Sequence, residues 1–338
     1  MIRDKNAGKR STGIVAVRFM RSHLFFCILL LTVFITTTGC ATQNEQRRFM
    51  KQRNEQMRLL EIQKNAADID EKGLRNMPDM TAGEYVQSGN NYLRQGNEVM
   101  AFIQYDNALR LDPEQTEIRL KKGHLLLKRG LAEDAMKEFE QVLETDPRNA
   151  QAYEGKGMVF LTEGKPDKAL ENFRYAIHLN PKLWQAHAFM GIIYARQRQF
   201  DDAVGAYLTA TGIDPHSSSL FNNLGMSYYL SGEYEKSVEA YSKALRKDPE
   251  NKILYNNLGL ALCMLERYEE AFRAFKKGGN EASAYNNIGY IYLRKKKYRE
   301  ALSAFEKAIE TKPRFYVKAH ENRKMAEAAM QETSEMKQ

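Results

Sequence analysis

Cysteine and histidine are the side chains in this sequence best suited to nucleophilic or metal chemistry, and both are scattered. The three cysteines, Cys27, Cys40 and Cys263, do not suggest a disulfide pair. The histidines beyond residue 100 are equally dispersed, at His124, His178, His187, His216 and His320. Zinc sites need ligands at short, characteristic spacings, and these residues do not provide them. We therefore predict no enzymatic activity, no metal site, no cofactor and no small-molecule substrate, with Cys263 a small apolar filler.

Cys40 is the cysteine whose surroundings predict a modification. Basic residues up to Arg21 precede an apolar stretch at residues 24–34, which is the layout of a secretory signal. The stretch is shorter than the roughly 20 apolar residues that a membrane-spanning helix needs. A cleaved signal is therefore favoured, with translation starting at Met1 or at Met20.

The sequence Thr38-Gly39-Cys40 resembles the lipobox of bacterial lipoproteins, in which the chain is cut before the cysteine and the thiol is acylated. Thr37 departs from the aliphatic residue that this family prefers. The resemblance implies a signal peptide at 1–39 and a lipidated Cys40. Because Ala41 is not an aspartate, it also implies an outer-membrane lipoprotein facing the periplasm. An uncleaved anchor and an ordinary secretory signal are the alternatives.

The net charge of +8 is concentrated near the amino terminus. Six basic groups and one acidic group fall in residues 1–39, which leaves a surplus of about +3 for the rest of the chain. So small a surplus on a long array does not indicate a nucleic-acid partner. Residues 40–81 contain the lipidated cysteine followed by a polar stretch with few apolar residues, so they are predicted to form a tether, with one amphipathic helix near residues 46–67.

A 34-residue period dominates the remainder of the chain. Glycine recurs at this step at Gly89, Gly123, Gly157, Gly191, Gly225 and Gly259, and proline recurs at Pro113, Pro147, Pro181, Pro215 and Pro249. Between them lie alanine or serine at Ala101, Ala135, Ala169, Ala203, Ser237 and Ala271, and aromatic residues at Tyr105, Phe139, Phe173, Tyr207, Tyr241 and Phe275. Self-similarity at a fixed period indicates a repeat protein.

This pattern resembles the tetratricopeptide repeat family over residues 82–315. The resemblance implies an all-α, right-handed superhelix (an α-solenoid) of seven helical hairpins. Glycine would let the two helices approach, alanine would fit their crossing point, the aromatic ring would fill the adjoining gap and proline would end the hairpin. The seven repeats are 82–115, 116–149, 150–183, 184–217, 218–251, 252–281 and 282–315.

Three features depart from a regular array. The sixth repeat is four residues short, with Lys277-Gly278-Gly279-Asn280 in place of the proline turn, so the stacking of the seventh repeat should change. Arg119 and His187 occupy the usual aromatic position of the first helix, which predicts looser packing. Residues 316–338 are predicted to form a capping helix and tail, with Val317, Ala319, Met325, Ala328 and Ala329 on its apolar side.

In the tetratricopeptide family, the first helix of each hairpin lines a concave groove through its second, fifth, sixth, ninth, twelfth and thirteenth residues. These positions carry an apolar lane in this sequence, formed by Met158, Ile192, Met226, Tyr229, Leu260 and Tyr290. Asparagine pairs lie beside the lane in the last three repeats, at Asn222 and Asn223, Asn256 and Asn257, and Asn286 and Asn287.

Two interpretations of the asparagines remain open. An amide can donate to and accept from a peptide backbone at once, so the asparagines could hold a bound segment of a partner. Alternatively, asparagine and the apolar side chains at these positions pack between hairpins without contacting a partner.

The leading functional hypothesis is an adaptor, anchored by its lipid, that binds envelope proteins in the groove and promotes their assembly or localisation. In layout the chain resembles lipoproteins of this family that assist type IV pilus and secretin biogenesis. The alternative is an adaptor that regulates peptidoglycan hydrolases or a periplasmic protease.

Overall fold

The computed structural model describes residues 80–312 and 317–335. The predicted signal peptide, Cys40 and all of the tether before residue 80 lie outside the described residues. Almost the whole repeat array, from Tyr85 onward, belongs to one compact unit.

The described residues form fifteen helices and no strand, and the first fourteen helices are paired in seven consecutive hairpins. The first helices are α1 (Ala82–Arg94), α3 (Thr116–Lys128), α5 (Ala150–Thr162), α7 (Trp184–Arg196), α9 (Ser218–Ser231), α11 (Lys252–Met264) and α13 (Glu281–Arg294). The second helices are α2 (Glu98–Leu111), α4 (Ala132–Thr145), α6 (Pro166–Leu179), α8 (Phe200–Ile213), α10 (Tyr234–Lys247), α12 (Tyr268–Gly278) and α14 (Tyr298–Thr311). Helix α15 (Val317–Glu335) follows, and the predicted all-α superhelix of seven hairpins with a terminal helix is confirmed.

Each hairpin is held by a contact between a glycine of its first helix and an aromatic ring of its second helix. A Cβ atom on Gly157 would lie 2.6 Å from the Phe173 ring, and the same short approach occurs in all seven hairpins, ending with Gly289 and Phe305 at 2.7 Å. All seven rings are at most 2% exposed. Side chains larger than hydrogen at these glycines would push the helices apart, because core atoms are already close-packed.

The turn inside each hairpin needs one residue in the left-handed region. Glycine supplies it in four repeats, with φ between 75° and 87° at Gly96, Gly130, Gly164 and Gly232. The other three repeats use Arg198, Glu266 and Lys296 with φ near 60°. A side chain in this region costs about 1 kcal/mol, so the hairpin geometry is imposed by the packing on either side.

At the position of Arg119 and His187, where the sequence predicts looser packing, polar side chains contact the preceding proline turn. In repeat 3, the Tyr153 hydroxyl donates to the carbonyl oxygen of Pro147 at 3.3 Å. Arg119 Nε donates to the Pro113 carbonyl at 3.0 Å, and His187 Nε2 lies 3.2 Å from the Pro181 carbonyl. In these three repeats, the polar end of the side chain therefore links the start of the first helix to the proline turn before it.

The four-residue deletion shortens the second helix of repeat 6. Helix α12 has 11 residues where the other second helices have 14. Asn280 then caps α13 directly: its side chain accepts a hydrogen bond from the Ser283 amide at 2.9 Å, and the Ser283 hydroxyl accepts one from the Asn280 amide at 2.8 Å. The next first helix thus begins without the proline turn.

The predicted apolar side of α15 is correct at Ala319 and wrong at Val317 and Met325. Val317 is 66% exposed and Met325 is 49% exposed, whereas Ala319, Asn322 and Ala326 are buried. These three residues share one helical stripe because each residue advances about 100° around the axis. Small side chains allow α15 to lie close to repeat 7, so side-chain size decided the buried face and hydrophobicity did not.

Candidate protein-binding groove

The groove face, meaning the surface formed by the six named positions of the first helices, rests on the buried aromatic rings. Tyr105 donates its hydroxyl to Asn90 Oδ1 at 2.8 Å. The imidazole of His124 meets the Phe139 ring edge-on, with centroids 5.3 Å apart. Asn90 and His124 are ninth-position residues, so this row of the groove lies directly above the ring that holds each hairpin together. In repeat 5 the Tyr241 hydroxyl lies 3.9 Å from Met226 Sδ in the same way.

Several of the predicted asparagines bond to one another between repeats. Asn257 Nδ2 donates to Asn222 Oδ1 at 2.9 Å, which joins the sixth position of repeat 6 to the fifth position of repeat 5. Asn222 Nδ2 lies 3.3 Å from Asn223 Oδ1. Asn286 repeats the first pattern, since it accepts from Asn322 Nδ2 of α15 at 2.9 Å. At 2% exposure, Asn286 is covered by the chain itself.

The short sixth repeat interrupts this pairing. By analogy with Asn222 and Asn257, Asn256 should pair with Asn287, but its Nδ2 donates to the Gly278 carbonyl at 3.5 Å. Gly278 permits this contact because a Cβ there would lie 2.6 Å from Asn256 Oδ1. Asn287 is left facing a cavity of about 440 Å³, together with Leu260, Tyr290 and Lys318. The deletion therefore leaves a recess in the groove face, lined by both amide and apolar side chains.

Exposed apolar side chains accompany these amides. Leu230, at the thirteenth position of repeat 5, is 45% exposed, Tyr290 is 43% exposed and Ile253, at a second position, is 67% exposed. Met158, Ile192, Met226, Tyr229 and Leu260 are half-buried. Apolar area left in water along one continuous face is typical of a surface that contacts another protein.

Glu154 is a buried acidic residue on one of the groove-lining helices. It occupies the fifth position of α5, is 5% exposed, and its Oε1 has no hydrogen-bond partner among the described residues. Burial raises the pKa of this carboxyl from 4.5 to about 7, and a hydrogen bond from the Ala186 amide opposes that shift in part. The carboxyl is therefore half-protonated near neutral pH.

Burial also makes the thiol of Cys263 unreactive. The Cys263 thiol is fully buried, and burial raises its pKa to about 12, although the charge of Lys295 opposes the shift. A thiol in such surroundings is inert.

Among residues 80–312 and 317–335, His, Cys, Asp and Glu do not cluster in threes that could hold a metal ion. Within the same ranges, every helix is too short or too polar to cross a bilayer.

Two larger depressions lie away from the groove face. One, of about 700 Å³, is formed by α5 and α6 and includes Tyr153, Tyr175 and His178. The other, of about 730 Å³, is lined by Tyr268, Phe272 and Tyr285 of repeats 6 and 7. In the first depression the rings of Tyr153 and Tyr175 are in contact, with centroids 4.4 Å apart.

Family models described as tetratricopeptide repeats match three parts of the chain. One matches residues 89–150, 120–182 and 154–218, a second matches 225–266 and a third matches 282–315. Together the matches extend over more than half of the chain. It is a tetratricopeptide repeat protein. Members of this family are protein-binding scaffolds and are generally not enzymes. A search of curated proteins found no match.

Solved structures share this fold at low sequence identity. PilW, a type IV pilus biogenesis factor, is 18% identical over 58% of this chain and 91% of its own, with a TM-score of 0.51. The C-terminal part of a repeat protein from Cytophaga hutchinsonii is 17% identical over 70% of this chain and 98% of its own, also at 0.51. The Cut9–Hcn1 hetero-tetramer of the APC/C is 20% identical, covers 77% of this chain and 51% of the matched chain, and has the same score. These likenesses show the fold alone.

Three residues in or beside the groove face escaped the sequence analysis. Glu154 lies at a fifth position, and its carboxylate in an apolar stretch of α5 was a usable signal. Asn322 and Lys318 belong to α15, whose register against repeat 7 depends on side-chain size and not on the 34-residue period.

We predict that Glu154→Gln stabilises the protein at pH 8 and not at pH 4.5. The folded carboxyl keeps its proton up to a pKa of about 7 while the unfolded chain loses it near 4.5, so the wild-type free energy of unfolding falls as the pH rises through this window. The variant should gain roughly 2–3 kcal/mol over wild type at pH 8. Urea denaturation at both pH values measures this difference, with Glu171→Gln on the exposed face of α6 as the control. An equal effect of both substitutions at both pH values would contradict the prediction.

Proposed function

We propose that this protein is a lipid-anchored scaffold of the bacterial cell envelope. Its groove binds segments of other envelope proteins and promotes the assembly or localisation of their complex. The observation that carries this proposal is the groove face of repeats 5–7, where exposed Leu230 and Tyr290 lie beside asparagine amides and a recess of about 440 Å³. Such a face offers apolar contact and backbone hydrogen bonds without demanding one sequence.

The envelope location rests on the sequence before the repeats. The apolar stretch, the Thr38-Gly39-Cys40 motif and Ala41 together support a diacylated or triacylated cysteine in the outer membrane, with the repeats in the periplasm. A polar tether of about 40 residues spans on the order of 35 Å if it is flexible, which leaves the groove free of the lipid surface.

Type IV pilus or secretin biogenesis is the specific process that we propose. Its support is the order of signal, lipidated cysteine, tether and repeats along the chain. The likeness to PilW extends to the fold and adds nothing on the partner.

A photocrosslinking amino acid at Tyr290 should capture an envelope protein in living cells, and one at Tyr175 should not. The two tyrosines are a matched pair, because each is 43% exposed and only Tyr290 lies on the groove face. Mass spectrometry of the adduct identifies the partner. A secretin or pilus protein is the expected result, whereas a peptidoglycan hydrolase or protease would support the other adaptor role. Equal capture from both positions would contradict binding in the groove.

Cys40→Ser should abolish incorporation of a radiolabelled or alkyne-tagged fatty acid and release the protein from the membrane fraction. Cys263→Ser is the matched control, because that thiol is buried in α11 and should leave labelling unchanged. Labelling that survives Cys40→Ser would refute the lipid anchor and would leave the proposal of binding in the groove unaffected.

A further inference from the structure

The groove face of repeats 4–7 has an unusual charge distribution. None of the residues at its six positions in these repeats is acidic, and the charged ones are Arg196 and Arg294. Both are thirteenth-position residues, and the thirteenth positions between them are Leu230 and Met264. The row therefore has a cation at each end and apolar side chains in the middle.

The two arginines are free to meet an anion. Each is exposed, and neither forms an ion pair within the ranges that the structure describes. Nearby cations outside this row do pair: Lys295 Nζ lies 3.2 Å from Glu266 Oε1, and Lys297 Nζ lies 3.4 Å from the same atom. Glu266 thus neutralises the two neighbouring lysines, whereas Arg294 has no carboxylate partner among the described residues.

Both arginines lie close to the floor of the groove. Burial raises the pKa of Tyr207 to about 12, while the Asn223 amide and the charge of Arg196 oppose that shift. Burial likewise raises the pKa of Tyr229, and Arg294 is near enough for its charge to oppose that change across two repeats. Each guanidinium therefore lies near enough to a tyrosine of repeat 4 or 5 for its charge to act on that side chain.

A third cation extends the same pattern. Lys318 of α15 is exposed, makes no ion pair among the described residues, and lines the recess that contains Asn287 and Tyr290. Cations thus lie on both sides of the apolar side chains of repeats 5 and 6, and the six groove positions of repeats 4–7 carry no carboxylate. A basic segment would leave its own charges unpaired there, which disfavours such a partner.

We propose that the groove of repeats 4–7 selects a protein segment with an apolar centre and acidic residues at both ends, held by Arg196 and Arg294. This inference rests on the proposed function and specifies the chemistry of the partner. Three steps of 8–10 Å between neighbouring helices separate the arginines by at most about 30 Å, which about nine residues of extended chain span. The apolar row between the cations favours a protein segment over a nucleic acid, whose backbone carries charge throughout.

Fluorescence anisotropy with synthetic peptides tests the proposal on the full-length protein in detergent. The probe is a fluorescein-labelled peptide of about twelve residues, with leucine and glutamine in the centre and two glutamates at each end. Two matched peptides carry glutamine or lysine at the ends. We expect the acidic peptide to bind at least 10-fold more tightly than the lysine peptide at low salt, and Arg196→Glu with Arg294→Glu to remove that preference.

The control variant changes charge equally at a distance from the groove. Lys182→Glu with Lys247→Glu alters two exposed lysines near the turns between hairpins and should keep the preference. Equal binding of the acidic and glutamine peptides would overturn the inference while leaving the groove proposal intact, and so would equal effects of the two double variants. Absence of binding by all three peptides would also overturn it, as would tighter binding of a single-stranded oligothymidine. Photocrosslinking at Tyr290 decides the groove proposal separately.

Discussion

The structure depends on the approach of a glycine to an aromatic ring inside each hairpin. At Gly157 the room for a side chain is already taken by Phe173, and six other hairpins repeat the arrangement with fully buried rings. Close-packed interiors do not absorb an extra methyl group without a shift of the backbone. Seven equal contacts therefore give seven hairpins of nearly equal geometry, and equal units stack so that their first helices share one face.

That contact also links the core to the groove. Tyr105 and Tyr241 fill the gap in their hairpins and extend their hydroxyl groups to ninth-position residues Asn90 and Met226. The floor of the groove is thus the outer edge of the core. A change in hairpin packing must alter the surface offered to a partner, so the packing of the core defines the shape of the groove face.

The 34-residue period was enough to predict the helices and the hairpins. Contacts between repeats were not predictable in the same way, because they depend on how far one helix slides along the next. Asn286 was a candidate for contact with a partner and is covered by Asn322, since α15 stacks as another first helix. Asn256 bonds to Gly278 because the deletion in repeat 6 moves the end of α12 against it. The burial of Glu154 was also not predictable from the sequence. Its position on the first helix follows from the repeat, but its burial depends on the stacking of α7 on α5.

A double-mutant cycle between Gly157→Ala and Phe173→Leu tests the central contact most directly, with the free energy of unfolding as the measurement. The alanine Cβ would lie 2.6 Å from the ring, so Gly157→Ala should cost about 1–3 kcal/mol in the wild-type background. With leucine at residue 173 that cost should fall by about 1 kcal/mol or more, because the clashing ring atoms are gone. Gly205→Ala, at an exposed site in α8 without atoms within 4 Å, should be neutral or slightly stabilising in both backgrounds. Additive effects of Gly157→Ala and Phe173→Leu would contradict the account.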